Sequence, residues 1–263
     1  MTNSTQQEAP TPHPENATPI ALLDHDADLG AGIPQEDRAL ARRTLVVPSL
    51  ALDPGPLDIA GLGLPDSAFA LLVISGELTC DVRLDGRSLT EILAAGDLET
   101  PWAPDVEGLP VTREIAVATP ARVAILESRF LLASARWPTL MLAVQRRLAA
   151  QKQRLAVHGA ICQFPRVEDR LISMLRHIAE RAGRVTAVGT VIPVPLTHEA
   201  LGKLVGARRP TVSIAMKELA ADGRVRREPD GTWILLAETA PEDPLPRLVA
   251  TAHEAGRRAE SGR

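Results

Sequence analysis

The sequence is poor in the residues that build metal centres. Its two cysteines, Cys80 and Cys162, are too few for the four thiolates that an iron–sulfur cluster usually takes. Both lie in apolar surroundings, and we expect buried free thiols in a reducing cytoplasm. No histidine lies between His25 and His158, which excludes the histidine-and-carboxylate metal site of a cupin enzyme. We therefore assign no metal and no cofactor.

Membrane segments and enzyme motifs are also missing. No apolar run approaches the ~20 residues that a membrane-spanning helix needs. The first residues lack the charged start and apolar block of a signal peptide. There is no nucleophile elbow, phosphate-binding loop or dinucleotide fingerprint. We expect a cytoplasmic protein that is not an enzyme and has no membrane partner.

Charge is unevenly distributed and changes sign near residue 136. Residues 1–136 carry 9 Lys/Arg against 20 Asp/Glu, whereas residues 137–164 carry 4 basic residues and no acidic one. Residues 165–236 carry 12 basic against 8 acidic residues. A basic C-terminal section suits the neutralisation of nucleic-acid phosphates. The acidic N-terminal section would repel DNA and must have another role.

The N-terminal half has the pattern of a small β-domain. Residues 1–20, rich in Pro, Thr, Asn and Gln, are predicted to be disordered, as is the tail over 238–263. Between them, turns are predicted at Ser75-Gly76, Asp85-Gly86 and Ala95–Asp97. Several short strands at regular spacing favour a β-barrel or sandwich. The predicted strands are Ala68–Ile74, Leu78–Leu84, Ser88–Leu93 and Arg122–Leu126.

A long helix is predicted over 137–163, ended by Pro165. Residues along it recur at alternating steps of three and four, which makes a seam suited to pairing with a second copy of the chain. The seam comprises Leu140, Val144, Leu148, Gln151, Leu155 and His158. Its two polar members either fix the register or lie at a solvated edge. An amphipathic helix over 167–182 and a short strand pair over 184–194 follow.

The stretch Leu196–Leu219 predicts two short helices joined by a tight turn. The hydroxyl of Thr197 is suited to cap the first helix, because it can accept a bond from a free backbone N–H. Gly206 stands where that helix must end, and Pro210 fits the first turn of the next. Apolar residues at helical spacing give each helix a buried face. A helix-turn-helix of this kind places the start of its second helix in the major groove of DNA.

A basic hairpin follows the second helix. Val225–Leu236 is predicted to form two short strands joined by a turn at Pro229–Gly231. Such a hairpin is the wing of a winged helix, and it distinguishes this stretch from an ordinary helical hairpin with solvated arginines. A winged helix that binds protein rather than DNA remains an alternative.

This order of elements resembles that of the Crp/Fnr (cyclic-AMP-receptor-like) family of bacterial transcription regulators. The resemblance covers about residues 40–236 and rests on Leu72–Leu78, Gly96-Asp97, Pro165–Leu171 and Leu196–Leu219. It implies an α+β fold with three parts: a cyclic-nucleotide-binding-like β-roll over 40–134, a dimerisation helix over 135–164 and a winged helix-turn-helix over 165–237. It also implies double-stranded DNA, a second copy of the chain and RNA polymerase as partners. The β-roll either binds an unknown small-molecule effector or only stabilises the dimer.

The resemblance assigns DNA contacts residue by residue. The family's recognition helix often opens Ser-Arg-Glu-Thr, and the matching stretch here is Arg208–Thr211. Arg209 thus keeps the guanine-reading position, whereas Pro210 removes an acidic reader and Ile214 a second basic one. The residues expected to read bases are Arg209, Thr211 and Ser213. Those expected to contact phosphates are Thr197, His198, Arg208, Lys217, Arg224, Arg226 and Arg227.

The effector end departs from the family pattern. Members that bind a cyclic nucleotide carry a Gly-Glu pair after Gly-Asp-Phe and later an Arg-Ser or Arg-Thr pair. Here Gly96–Leu98 is followed by Glu99–Trp102, and the later pair is Val111-Thr112. Both binding residues are absent from their places, so we expect no cyclic AMP binding. Arg113, two residues beyond the lost arginine, is the candidate anion ligand, the alternative being a strand-edge arginine on the surface.

Overall fold

The computed structural model describes residues 17–101, 108–193 and 196–236. These residues form an antiparallel β-roll, a long helix and a smaller domain of helices and a second sheet. The predicted α+β class is therefore confirmed. The disorder predicted for residues 1–16 and 238–263 lies outside the described residues.

The β-roll is built from seven strands that pair only in antiparallel fashion. Their bounds are β1 Thr18–Ala21, β2 Val46–Leu52, β3 Gly55–Leu57, β4 Ala70–Leu84, β5 Arg87–Ala94, β6 Leu98–Glu99 and β7 Val111–Leu126. The strand order is β1-β2-β7-β4-β5, with β3 beside β7 and β6 beside β4. Leu71 faces one buried cluster and Leu72 the other, because neighbouring side chains of a strand point to opposite faces.

The prediction of disorder is wrong for residues 17–20. Thr18 to Ala21 form strand β1, which pairs with the start of β2. The Ser49 hydroxyl donates to the Thr18 carbonyl oxygen at 2.9 Å, and Ile20 is buried in the core between the roll and its helices. The strand depends on partner residues at least 25 positions along the chain, so local composition gave no sign of it.

The turn predicted at Ser75-Gly76 is also wrong. β4 continues through these residues with irregular pairing to β7, as a β-bulge. Gly76 has a φ of +77°, and a Cβ there would lie 2.4 Å from the Pro120 carbonyl oxygen. Glycine is required here by a close crossing of two strands, not by a chain reversal. The turns at Asp85-Gly86 and Ala95–Asp97 are confirmed.

Short helices pack on one side of the roll, and the long helix and one further helix follow them in the chain. Their bounds are α1 Leu22–His25, α2 Arg38–Thr44, α3 Ser128–Ser134, α4 Thr139–Ile161 and α5 Val167–Ala182. The predicted long helix is α4, and the predicted amphipathic helix is α5. No helix within the described ranges is long and apolar enough to cross a membrane.

The face of α4 that was predicted to pair with a second chain instead packs largely against its own chain. Leu140 and Val144 are buried against the roll. Gln151 accepts a bond from the Leu98 amide and donates to Glu91, and the His158 Nε2 lies 2.7 Å from the Leu204 carbonyl oxygen. The predicted seam is therefore wrong for these four residues. The helical periodicity is present, but it indicates the face of α4 that packs against the same chain.

The C-terminal part is a winged helix. It contains the helices α6 His198–Val205 and α7 Arg209–Ala221 and the strands β8 Arg184–Thr186, β9 Gly189–Ile192, β10 Val225–Arg227 and β11 Trp233–Leu236. The strands pair in the order β10-β11-β9-β8, and a buried core unites α5, α6 and α7. The predicted helix pair and basic hairpin are confirmed.

One carboxylate joins all these parts. Asp97, 3% exposed, accepts a bond from the Ala94 amide in its own turn at 3.0 Å. It also binds Arg154 of α4 and Arg181 of α5 through separate oxygens. Arg181 further donates to the Ala95 carbonyl oxygen at 2.9 Å. The roll, the long helix and the winged helix domain thus meet at one buried ion cluster.

We expect Asp97→Ala to lower the free energy of unfolding by about 3 kcal/mol, since removing one partner of a buried ion pair leaves the other charge unbalanced. Urea denaturation followed by circular dichroism measures this. The matched control is Asp53→Ala, because Asp53 is exposed and has no ion pair with any described residue. Equal stability of the two variants would contradict the role given to Asp97.

Candidate nucleic-acid interface

The sequence folds into the helix-turn-helix for local reasons. The Thr197 hydroxyl caps α6 by accepting a bond from the Ala200 amide at 3.1 Å. Gly206 ends the helix with a φ of +63°, in the left-handed region. A Cβ at Gly202 would lie 2.6 Å from the Ala207 carbonyl oxygen, so glycine permits the tight turn into α7. The N-cap and the end of α6 are where the sequence predicted them.

The outward face of α7 carries the predicted DNA-contacting side chains. Arg208, Arg209, Thr211 and Lys217 are all exposed. The opposite face is buried in the domain core and consists of Val212, Ala215, Met216 and Leu219. The helix is therefore held by one apolar stripe and presents its polar residues and its first turn to solvent.

Trp233 of β11 contacts the start of α6 and strand β10. Its indole N–H donates to the Leu196 carbonyl oxygen at 2.8 Å, which ties strand β11 to the start of α6. Its ring stacks with His198 at a centroid distance of 5.8 Å, and the Arg227 guanidinium lies 5.5 Å from it. The sequence placed Trp233 in a strand and gave it no role. The sequence did carry a signal, because Trp233 is an isolated tryptophan six residues after the basic pair Arg226-Arg227.

His198 and Ser213 link the two helices of the motif. The Ser213 hydroxyl donates to the Arg209 carbonyl oxygen at 3.0 Å and lies 2.9 Å from the His198 Nδ1. Because the hydroxyl proton is already used, Nδ1 is the donor to Ser213. In the neutral ring the His198 Nε2 is then an acceptor, and it donates to an external anion such as a phosphate only when the imidazole takes up a proton. Ser213, predicted to read a base, has its hydroxyl engaged inside the protein.

Two arginines and a histidine converge on one open pocket at the start of α7. The pocket is lined by Thr197, His198, Glu199, Arg209 and Arg227. Partial burial lowers the pKa of His198, and the charges of Arg227 and Arg209 lower it further. A group whose pKa is depressed by neighbouring cations lies where a bound anion would be favoured.

The wing adds further basic side chains. Arg226 and Arg227 are exposed on β10, and Arg224 is half-buried at its start. The Arg226 Nε donates to Glu228 at 2.8 Å, so an incoming phosphate would have to replace this carboxylate. Asp230 fixes the turn of the wing by accepting from the Thr232 amide at 2.9 Å.

Arg113 lies on β7, opposite Val82 of β4, and already has an anionic partner. Its Nη2 donates to both carboxylate oxygens of Glu99 at 2.5 and 2.6 Å, and its Nε donates to the Cys80 sulfur at 3.1 Å. The Glu99 side chain is 2% exposed, and burial raises its pKa. Burial also raises the pKa of the Cys80 thiol to about 11. Arg113 is exposed on β7, as the surface alternative predicted, and its guanidinium pairs with the buried Glu99, which is the residue that the sequence missed.

The two cysteines are free in the structure, Cys80 buried and Cys162 partly buried. In the described part of the chain, no three His, Cys, Asp or Glu residues group closely enough to hold a metal ion.

A comparison with known protein families matches the C-terminal domain. Residues 169–240 match the family model of the Crp-like helix-turn-helix domain. No protein of curated function matches the sequence. The resemblance to the Crp/Fnr family that the sequence predicted is thereby confirmed for the helix-turn-helix domain.

Solved structures share the fold over most of the chain. A mutant of CooA from Carboxydothermus hydrogenoformans is 18% identical with a TM-score of 0.57, over 71% of this chain and 82% of that one. A cyclic nucleotide-binding domain containing protein from Listeria monocytogenes EGD-e is 12% identical with a TM-score of 0.60, over 80% and 96%. The c-di-GMP-responsive regulator CLP of Xanthomonas campestris is 19% identical with a TM-score of 0.50, over 71% and 89%. At such identities the likeness shows the fold alone.

The pocket geometry predicts how His198 titrates. Arg227→Gln removes one nearby positive charge, so the pKa of His198 should rise towards its usual value while burial still holds it below that value. NMR titration of the imidazole resonances measures the change. Arg226→Gln is the matched control, because Arg226 is on the same strand and does not contribute to the shift. A His198 pKa that is equal in both variants would contradict the arrangement of the pocket.

Proposed function

We propose that this chain, which contains a Crp-like helix-turn-helix domain on a fold shared with Crp/Fnr regulators, is a cytoplasmic transcription regulator that binds DNA in a sequence-specific manner as a homodimer. The observation that carries the proposal is the convergence of His198, Arg209 and Arg227 at the exposed start of α7. No catalytic step is needed to account for this arrangement, and we assign the chain no enzyme activity.

The residues expected to contact DNA divide into two roles. Arg209, in the first turn of the recognition helix, is placed to donate two parallel bonds to guanine O6 and N7, and Thr211 contacts a neighbouring base. Ser213 acts on the same bases indirectly, through its hydrogen bond to His198, which links α6 and α7. The remaining residues hold phosphates and fix the docking register without reading sequence. They are Thr197, His198, Arg208, Lys217, Arg224, Arg226 and Arg227.

Dimerisation is assigned to the exposed face of α4. The apolar residues at the centre of this face are Leu142, Ala149, Ala156 and Ala160; Leu148 and Val157 are also exposed, and the polar residues Arg146 and Gln153 lie on the same side. Leu142 is 44% exposed and Leu148 43% exposed, so pairing of two chains along this face would bury apolar surface. Two copies joined along this face present two recognition helices to successive major grooves. The DNA site is then a near-palindrome with half-sites about one helical turn apart.

The β-roll does not bind cyclic AMP in this proposal. Arg113, the arginine nearest to the family's phosphate-binding position, is neutralised by Glu99, and a ligand phosphate would have to displace a buried carboxylate. RNA polymerase is the partner through which the bound dimer would act on transcription.

A second candidate is a regulator gated by an unidentified small molecule bound in the β-roll. The observation that favours it is direct contact between the roll and the DNA-binding part. Asp97 binds Arg181, and Asp81 lies 3.4 Å from the Lys203 Nζ of α6. A ligand that shifts β4 or the Ala95–Asp97 turn would therefore move α6 or α5. The similar fold of CLP, a c-di-GMP-responsive regulator, is consistent with this possibility.

The decisive experiment is selection of bound sequences from a random DNA pool with purified protein and no added ligand. A palindromic consensus supports dimeric DNA reading by the ligand-free protein. Failure of a folded, dimeric protein to enrich any sequence favours the gated alternative. Binding that is insensitive to salt would favour a protein partner for the winged helix, because phosphate contacts weaken steeply as salt rises.

Arg209→Ala should weaken binding to the consensus by about 1–3 kcal/mol and relax the preference for guanine at one position of each half-site. Affinities for the consensus and for duplexes with each other base at that position measure both effects. Arg208→Ala is the matched control, since it removes the neighbouring arginine that contacts phosphate and should preserve the preference. Unchanged sequence preference in Arg209→Ala would refute the docking.

Arg226→Ala should weaken binding to all sequences alike and lower the salt slope by about 1, the effect of one lost phosphate contact. Titrations of consensus and unrelated duplexes at several salt concentrations measure it. Arg129→Ala removes an equal charge from a side chain that is 86% exposed on the β-roll, and it should leave the slope unaltered. A loss of preference at a single base pair would show that Arg226 reads sequence instead.

A further inference from the structure

An apolar side chain stands in the middle of the outward face of the recognition helix. Ile214 is 62% exposed, while Val212, Ala215, Met216 and Leu219 are at most 2% exposed. At about 100° per residue, Ile214 points within about 30° of the direction opposite to this buried stripe. Pro210, also exposed, lies one turn before it on the same side. The part of the helix that is expected to approach DNA most closely therefore carries a small hydrophobic surface.

The neighbours of Ile214 make this surface distinct. Ser213, Lys217 and Glu218 adjoin it, and every other exposed residue of α7 is polar, alanine or Pro210. All residues of α7 are described, so Ile214 is the single large aliphatic side chain that this helix exposes. It contributes nothing to the core of the domain. A branched aliphatic side chain costs helix propensity at an exposed position and gains nothing there unless it meets an apolar surface.

The major groove offers one such surface. Among the four bases, thymine alone presents an apolar group there, its C5 methyl, while the other base edges present hydrogen-bond donors and acceptors. Ile214 can neither donate nor accept a hydrogen bond. It would leave the polar edge of guanine, adenine or cytosine unpaired, whereas contact with a thymine methyl buries apolar surface on both sides.

We propose that Ile214, supported by Pro210, reads the C5 methyl of a thymine in each half-site. This inference rests on the proposed function and adds to it a specificity-determining residue whose contact is apolar. The half-site is then defined by two unlike contacts on one helix, a hydrogen-bonded one from Arg209 and an apolar one from Ile214.

The test removes single methyl groups from the DNA. Each thymine of the selected consensus is replaced in turn by deoxyuridine, which keeps base pairing and lacks only the C5 methyl. At one symmetric position, wild-type affinity should fall about fourfold per methyl, equivalent to roughly 0.8 kcal/mol, and about fifteenfold when both half-sites are changed. Placing cytosine at that position should weaken binding, and 5-methylcytosine should restore part of the loss.

The protein variants identify the reader. Ile214→Ala should bind the thymine site more weakly and should no longer distinguish thymine from deoxyuridine at that position, while Ile214→Leu should keep part of the discrimination. The matched control is Leu132→Ala, which truncates a side chain that is 76% exposed on α3 of the β-roll and should behave as wild type. Circular dichroism checks that each variant is folded.

The outcomes separate this inference from the proposed function. If the wild type binds its consensus and deoxyuridine has no effect at any position, Ile214 does not read thymine, although the chain binds DNA. If the methyl effect persists in Ile214→Ala, another residue reads that methyl and the inference is wrong. If the wild type enriches no sequence without added ligand, DNA reading by the ligand-free protein fails, and this inference fails with it.

Discussion

The buried carboxylate of Asp97 is the interaction on which the arrangement of the molecule depends. It closes its own turn through the Ala94 amide and receives Arg154 and Arg181 from two different helices. A carboxylate that is 3% exposed is costly to bury unless its oxygens are fully bonded. The cost is met only when α4 and α5 both lie against the roll, so the charge makes their docking cooperative. Apolar packing alone would tolerate many orientations, whereas this cluster specifies one.

Positive charge is used in opposite ways at the two ends of the chain. In the roll, Arg113 is bonded to Glu99 and Cys80, and Arg147 is bonded to Asp26. In the winged helix, Arg208, Arg209 and Lys217 form no ion pair with any residue in the described part of the chain. The paired arginines stabilise the fold because their charge is balanced there. The outer cations remain available to an anionic partner, which agrees with the acidic and basic division of the sequence.

Local signals predicted the parts of this structure that depend on local chemistry. The cap at Thr197, the left-handed Gly206 and the wing turn at Pro229–Gly231 are decided within a few residues, and the structure has each of them where the sequence placed it. Strand β1, the bulge at Gly76 and the inner face of α4 depend on partners far along the chain, and each was missed or misread. The Glu99–Arg113 pair joins residues 14 apart on strands whose register the sequence does not reveal. Pattern reading identifies elements well, and it identifies their partners poorly.

The two faces of α4 connect the fold to the proposed DNA geometry. On the inner face, the His158 Nε2 donates to the Leu204 carbonyl oxygen at 2.7 Å, and burial lowers the pKa of His158, which keeps the ring neutral at physiological pH. Together with Arg154 on Asp97, this bond fixes α6 relative to α4. Pairing of two chains through the outer face would then set the distance between their recognition helices through a short series of rigid contacts. In the proposed dimer, the long helix would therefore set the distance between the two half-sites without touching DNA.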